Sequence, residues 1–325
     1  MKQLVSVIIP VYGVEKFIER CSRSLFSQTL KDGVEFIFVD DATPDNSIKI
    51  IRDVINDYPE RREQVKIVTH DHNKGLPQAR NTGLATAEGE YIFHCDSDDY
   101  IEPNLLELMC NVAESNDADF VWCNWFLTLA DHERCMTEPT PNSPENAVKL
   151  MLSGAMKFNV WNKLVKRKLY RDNNISFPEH DGMGEDMTMM MLCANASRTA
   201  YVSEPLYHYV KTNTGAFSNT YSDQHLIQLR RNVDRVTQYL TSKFGPLYKQ
   251  ELSYLKLDVK FPFLLMNSKK FRKLWKQWYP ESNRYILENK NVSLRTRMVQ
   301  WCAAKNFWLL VNVYSFLLNR IVYGR

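Results

Sequence analysis

Four times within the first 125 residues, a short run of β-branched and aromatic residues gives way to a stretch with helical spacing. No other feature of the chain restricts its fold as strongly. The apolar runs lie at residues 4–10, 35–40, 65–69 and 90–95, with a fifth at 120–124. Between them, residues 15–28, 48–55, 76–85 and 104–115 read as helices. In the first of these, Phe17, Ile18, Cys21, Leu25 and Phe26 recur three and four apart. Runs this short and this apolar fit strands buried on both faces. Parallel neighbours need a crossover, and a helix supplies it, so the alternation predicts an α/β fold with a mostly parallel, doubly wound sheet. In such sheets ligands bind beyond the carboxyl ends of the strands.

Three of those strand ends carry chemistry. The first ends in Pro10-Val11-Tyr12, the second in Asp40-Asp41, and the fourth in Asp96-Ser97-Asp98-Asp99. Three carboxylates within four residues repel one another and are expensive to bury without a counter-charge. A hard divalent cation that takes oxygen ligands would supply one. A solvated acidic turn is the bland reading of the same residues. No G-x-G-x-x-G follows the first strand and no G-x-x-x-x-G-K-[ST] occurs, which argues against a dinucleotide enzyme and a P-loop NTPase.

Beyond residue 124 the pattern loosens. A loop is expected at 137–143, a helix from about 144, and a polar, Gly-containing loop at 180–184. That loop feeds Glu185-Asp186 and a methionine-rich helix to residue 195, whose methionines read as core filler. A last strand is expected at 201–209, followed by a polar loop at 213–220 placed to fold over the site. Seven cysteines without a C-x-x-C pair point to reduced thiols in a cytoplasmic setting. The N-terminus lacks the marks of a signal peptide.

Charge divides the chain. Residues 221–325 hold 19 Lys and Arg against 6 Asp and Glu, while residues 1–220 hold 22 against 32. Near the end, an apolar, aromatic run at 307–318 sits among basic residues. It is shorter than the roughly 20 residues needed to span a bilayer. Such a run suits a helix lying in the membrane interface. A helix packed on protein or in an oligomer is the other reading. Nucleic acid is disfavoured, because the aromatics are not interleaved with the basic residues.

The first 215 or so residues closely resemble the family 2 glycosyltransferases, inverting enzymes of the GT-A fold. Five motifs carry the resemblance in the family's order: Ser6 to Tyr12; Val39-Asp40-Asp41 with Asp45 and Ser47; Asn73-Lys74-Gly75 with Ala79-Arg80-Asn81 and Gly83; Asp96-Ser97-Asp98-Asp99; and Gly184-Glu185-Asp186. Trp161-Asn162-Lys163 and Leu206-Tyr207 with Tyr209 resemble the family's acceptor-side half.

The resemblance implies roles. Asp98 would bind Mg²⁺ or Mn²⁺, with Asp96 contacting the ribose or the metal's shell. Asp41 would accept the imide hydrogen of uracil, Pro10 and Tyr12 would shape the base pocket, and Asp40 would hold the turn beside it. Arg80 would face the diphosphate or brace the carboxylates. Asp186 would be the general base and Glu185 would orient it or the acceptor. Asp99 and His208 have no role fixed by the resemblance. Ala42-Thr43-Pro44 stands where the family commonly has Gly-Ser, which weakens the reading of the base.

These observations lead to one expectation. Residues 1–220 form a GT-A glycosyltransferase domain, with a nucleotide-sugar half at about 1–125 and an acceptor half at about 126–220. Residues 221–325 form a basic helical extension, a candidate for association with the inner membrane surface. The expected reaction is metal-dependent inverting transfer from a nucleotide-diphosphate sugar, with UDP-sugars the expected donors, to a glycan or lipid-linked acceptor. The expected setting is the cytoplasm, on the inner face of the membrane, with an oligomer compatible. A nucleotidyltransferase and a non-catalytic nucleotide- or glycan-binding module are the alternatives.

Overall fold

The structure, a computed structural model, describes residues 4–212, 222–266 and 268–322, with side chains as far as residue 317. The polar loop expected at 213–220 lies outside the described residues. The chain opens with β1 (Val5–Val11), α1 (Ile18–Phe26), β2 (Val34–Asp40), α2 (Ser47–Asp57), β3 (Val65–Thr69), α3 (Leu76–Thr86) and β4 (Tyr91–His94). Next come β5 (Tyr100–Ile101), α4 (Leu105–Ser115), β6 (Phe120–Thr128), β7 (Glu133–Met136), α5 (Pro144–Leu152), β8 (Lys163–Lys166), α6 (Arg167–Asp172), α7 (Thr188–Ala194) and β9 (Thr199–Val210). The rest is helical: α8 (Asp223–Phe244), α9 (Lys249–Lys260), α10 (Pro262–Leu265), α11 (Lys269–Gln277), α12 (Leu294–Ala304) and α13 (Trp308–Val322).

Two compact units result. One comprises Met1–Pro144 and Phe158–Asn232; the other comprises Glu145–Lys157 and Val233–Arg325. This division differs from the expected boundary at residue 220. The first turns of α8 belong with the sheet, and α5 belongs with the C-terminal helices.

The sheet of the first unit runs β3-β2-β1-β4-β8-β6-β9-β5, with β7 on the flank of β6. The block β3-β2-β1-β4 is parallel throughout. Every residue of β1, β2 and β4 is buried, as their largely apolar runs require, and Ser6 of β1 donates to Glu35 of β2 at 2.6 Å. α1 buries Ile18, Cys21, Leu25 and Phe26, and Phe26 meets Phe36 and Phe38 of β2 edge-on at 5.5 and 6.0 Å. β8 then pairs antiparallel with both β4 and β6, whereas β6 and β9 are parallel. A bulge at Asn124 admits Pro205 into β9 without breaking the ladder.

The chain moves outward from β1 through β2 to β3 and returns on the other side of β1 as β4. The topological switch therefore lies between β1 and β4, where ligands of such sheets bind. Pro10 fits this gap. Ile8 accepts from the Cys95 amide at 3.0 Å, and Pro10, two residues on, faces the same side after β4 has ended. Its missing N–H breaks no ladder bond.

The second unit is all helix. Lys260 of α9, fully buried, donates to the carbonyls of Trp278 and Tyr279 at 3.0 and 3.3 Å and to Asn283 Oδ1 at 2.7 Å, and burial lowers its pKa to about 7. Asn289 and Asn291 bind the Ser153 carbonyl and hydroxyl, tying the segment after α5 to the C-terminal helices.

Candidate active site

The acidic turn after β4 divides into two chemical types. Asp99 is wholly buried; its Oδ1 accepts the Val210 amide at 2.8 Å and its Oδ2 the Tyr207 hydroxyl at 2.7 Å. Burial, reinforced by the Asp98 and Asp96 carboxylates, pushes its pKa well above the usual range. Asp99 thus anchors the turn to β9. The Tyr207 hydroxyl also accepts the Asp96 amide at 3.1 Å, so one side chain fixes both ends of the turn. Asp96 and Asp98 remain partly exposed.

At the end of β2, Asp40 Oδ1 accepts the Thr43 amide at 2.9 Å and so closes the turn. Asp45 gathers Thr43 Oγ1, Ser47 Oγ and the Glu15 amide at 2.6–2.9 Å, while the Gly13 amide donates to Thr43 Oγ1 at 2.9 Å. The turns after β1 and β2 are thereby joined. Tyr12 stands beside them, 51% exposed. Asp41 is buried: Oδ1 accepts the Lys74 amide at 2.7 Å, Oδ2 accepts the Gly75 amide at 2.8 Å, and His70 Nδ1 lies 2.7 Å from Oδ1. His70 in turn reaches Thr82 Oγ1 of α3 at 2.8 Å. Asn73-Lys74-Gly75 thus contributes backbone donors that aim Asp41.

Arg80 of α3 connects the donor-side turn to the expected base. Its side chain is 1% exposed, with Nη2 2.9 Å from Asp96 Oδ1 and 3.6 Å from Glu185 Oε1. Neighbouring Asn81 pairs in both directions with the Phe177 backbone at 2.9–3.0 Å, which docks the segment before the Glu-Asp pair on α3. Two residues on, Gly83 lets α3 approach β1, since a Cβ there would collide with the Ile8 side chain.

Glu185 and Asp186 sit in a short 3₁₀ turn (Glu185–Met187) that leads into α7. Gly184 enters that turn at φ +90°, a conformation a side chain would strain. Burial, the Asp186 charge and Asp96 push Glu185 up to about 8 against the opposing pull of Arg80. Burial likewise pushes Asp186 up to about 6, with Arg80 opposing and Asp96 assisting. Buried Lys163, held by Asn162 Oδ1 at 2.5 Å, adds a second positive charge that favours ionised Asp186.

The first turns of α8 support this loop from the other side. Gln228 donates to the His180 carbonyl at 2.9 Å and accepts the Met183 amide at 3.2 Å. Asn232 donates to the carbonyls of Asp181 and Met183 at 2.8 and 3.0 Å.

Among the expected site residues, Arg80, Asp96, Glu185 and Asp186 form one electrostatic cluster. Pro10, Tyr12, Asp40 and Asp41 line the adjoining strand ends. His208 packs between Tyr100 and Phe126 at 4.1 and 4.7 Å and bonds Glu102 and Glu133, both at 2.8 Å. His70, Gln228 and Asn232 are supporting residues that motif spacing did not assign, and Tyr207, which stood in an acceptor-side motif, acts as a brace of the acidic turn. Their partners lie 12 to 111 residues away in sequence.

The donor chemistry accommodates a divalent ion. Asp96 and Asp98 present hard carboxylate oxygens, and no group of three or more metal-ligating side chains occurs among the described residues. Two protein carboxylates completed by phosphate oxygens and water are a usual Mg²⁺ arrangement.

Residues 6–173 match Glycosyl transferase family 2. The uncharacterized glycosyltransferase EpsJ of Bacillus subtilis is 31% identical over 280 residues, 82% of this chain and 79% of that protein. Poly(ribitol-phosphate) β-N-acetylglucosaminyltransferase TarS of Staphylococcus aureus is 28% identical over 213 residues, 65% of this chain and 36% of that protein. The crystal structure of TarS residues 1–349 with UDP-GlcNAc superposes with a TM-score of 0.68 at 20% identity, covering 99% of this chain and 92% of that one. A Pyrobaculum calidifontis mannosyltransferase with GDP-Man and Mn²⁺ gives 0.53 at 16% identity, covering 96% and 86%.

Proposed function

The chain belongs to glycosyl transferase family 2, and we propose that it is an inverting, divalent-metal-dependent enzyme moving a sugar from a UDP-sugar to a hydroxyl of a glycan or lipid-linked acceptor. The observation that carries this reading is the placement of Arg80. One buried guanidinium holds Asp96 of the donor-side turn and Glu185 of the acceptor-side pair. Donor activation and proton removal then share one cluster of charges.

Asp98 and Asp96 are the residues that would hold Mg²⁺ or Mn²⁺, which when bound stabilises the departing diphosphate as a Lewis acid. Asp41 receives its backbone donors in a fixed orientation, which suits a carboxylate accepting the uracil imide. Tyr12 has an exposed ring for the base to stack on. The UDP-GlcNAc bound by TarS supports the same donor class.

Inversion needs a base opposite the leaving group, and Asp186 serves as that base. Its pKa of about 6 leaves it ionised at neutral pH yet basic enough to take a proton as the acceptor hydroxyl attacks. Burial and the Asp186 charge push Glu185 upward against Arg80, which favours its protonated form beside an ionised Asp186.

A panel of nucleotide sugars, assayed for nucleotide release with and without chelator, tests the reading. UDP release from at least one UDP-sugar, abolished by chelation and restored by Mn²⁺ or Mg²⁺, is expected. Release only from non-uridine donors, or release indifferent to chelation, would contradict it.

A further inference from the structure

The helix α13 buries Val311, 2% exposed, but turns most of its large apolar side chains outward. Its protein-facing side holds Asn312 and Ser315: Asn312 Oδ1 accepts from Arg272 at 2.8 Å, and Ser315 donates to the Leu265 carbonyl at 2.8 Å. Its outward side holds Leu309, Leu310, Val313, Phe316 and Leu317, between 47% and 76% exposed. These recur at helical spacing with no charged residue among them. The preceding Phe307 is 49% exposed and touches Trp301 of α12, whose Leu294 and Met298 are exposed as well. Contiguous apolar surface of this kind marks an interaction site.

Basic residues surround the patch. Arg272 and Lys276 of α11 lie 5.6 and 5.4 Å over the Trp308 ring, at the start of α13. Lys269, Lys270, Lys273 and Lys276 are exposed on α11. Neither residues 259–280 nor residues 289–325 contain a single Asp or Glu.

We propose that α13 lies in the interfacial layer of an anionic lipid bilayer, its outward face in the acyl region and the α11 cations at the headgroups. A spanning helix is not the geometry: α13 is about 22 Å long at 1.5 Å per residue, against a hydrocarbon core of about 30 Å. No helix among the described residues is long and apolar enough to cross. A second copy of the chain is the poorer occupant, because pairing through α13 would bring two basic α11 helices together. Anionic lipid instead gains from each cation near its surface and from each buried apolar side chain. The inference goes beyond the reaction and does not depend on it.

Flotation of the full-length protein with vesicles tests the proposal. Binding to equal parts phosphatidylcholine and phosphatidylglycerol at low salt, and little to phosphatidylcholine alone, is expected. The triple variant Leu309→Ser/Leu310→Ser/Val313→Ser should bind at least about tenfold more weakly with a thermal melt little changed, since these three positions are 50–76% exposed. Should that variant melt early, Leu309→Ser alone, at the 76% exposed position, should still weaken binding. Lys269→Gln/Lys270→Gln/Lys273→Gln should lose the preference for phosphatidylglycerol. Failure of the wild type to float with anionic vesicles would overturn the proposal, as would equal flotation of the serine variants. A dimer in light scattering that the triple variant dissolves would assign the face to a second copy.

Discussion

Tyr207 shares one hydroxyl between Asp96 and Asp99, accepting from the amide of the first and donating to the carboxyl of the second. Tyr207→Phe leaves the Asp96 amide and the buried Asp99 carboxyl each short of a hydrogen bond. It should cost about 1–3 kcal/mol in denaturant unfolding and also lower turnover by loosening Asp96. Asp99→Asn keeps an acceptor for the Val210 amide and should shift stability by less than about 1 kcal/mol. A result in the opposite order would remove Tyr207 as the brace of the turn. With Asp186 as the proposed base, a pH dependence follows. A raised carboxyl pKa means the proton is held to higher pH in the folded protein. Activity should therefore fall about tenfold per unit as pH drops below about 6 and level off above it. Stability has the opposite sign: Asp186, Glu185 and Asp99 contribute most below the ordinary carboxyl range, and lose that contribution as pH rises through their raised values. A pH–rate profile with no limb near 6 would argue against Asp186.

At the scale of elements, α8 and the turn after β2 make separable predictions. Gln228 and Asn232 bond the backbone of His180, Asp181 and Met183, in the loop that leads into Glu185 and Asp186. Asn232→Ala should lower kcat about tenfold or more with UDP affinity nearly unchanged, as expected of positioning. Equal losses in both would make its role merely structural. In the turn, Ala42 takes φ +54°, where a side chain costs about 1–2 kcal/mol. Ala42→Gly should raise stability by about 1 kcal/mol, read from thermal melts. The sequence marked this position as a departure from the family's glycine without showing that the backbone had kept the glycine's conformation. Much of the fold was legible for a related reason. β1 to β3 and α1 to α4 are long enough for their pattern to show, β3 falls on the expected residues, and four-residue β4 showed because it sits inside the apolar run before the acidic turn. β5, β7 and β8 are two to four residues long, too short to carry a period, and form only because β4, β6 and β9 are there to pair with. The carboxylates of the site stood in motifs, but their braces act across distances that local spacing does not encode. His70 was visible only as a histidine beside Asp71, without the Asp41 contact that gives it a role.

Taken whole, the molecule divides its charge as it divides its structure. The sheet-bearing unit gathers carboxylates at one strand edge, and the helical unit carries the basic surplus and the outward apolar face of α13. Under the proposed function, one charge cluster in the first unit serves two jobs, with Asp96 and Asp98 on the donor side and Asp186 on the acceptor side. Substituting Asp186→Asn and measuring turnover alongside UDP affinity in the presence of metal tests it most directly. Turnover should fall by about a thousandfold or more while the UDP dissociation constant stays within about threefold, because only proton transfer is lost. Turnover that survives the substitution, or UDP affinity that collapses with it, would contradict the account.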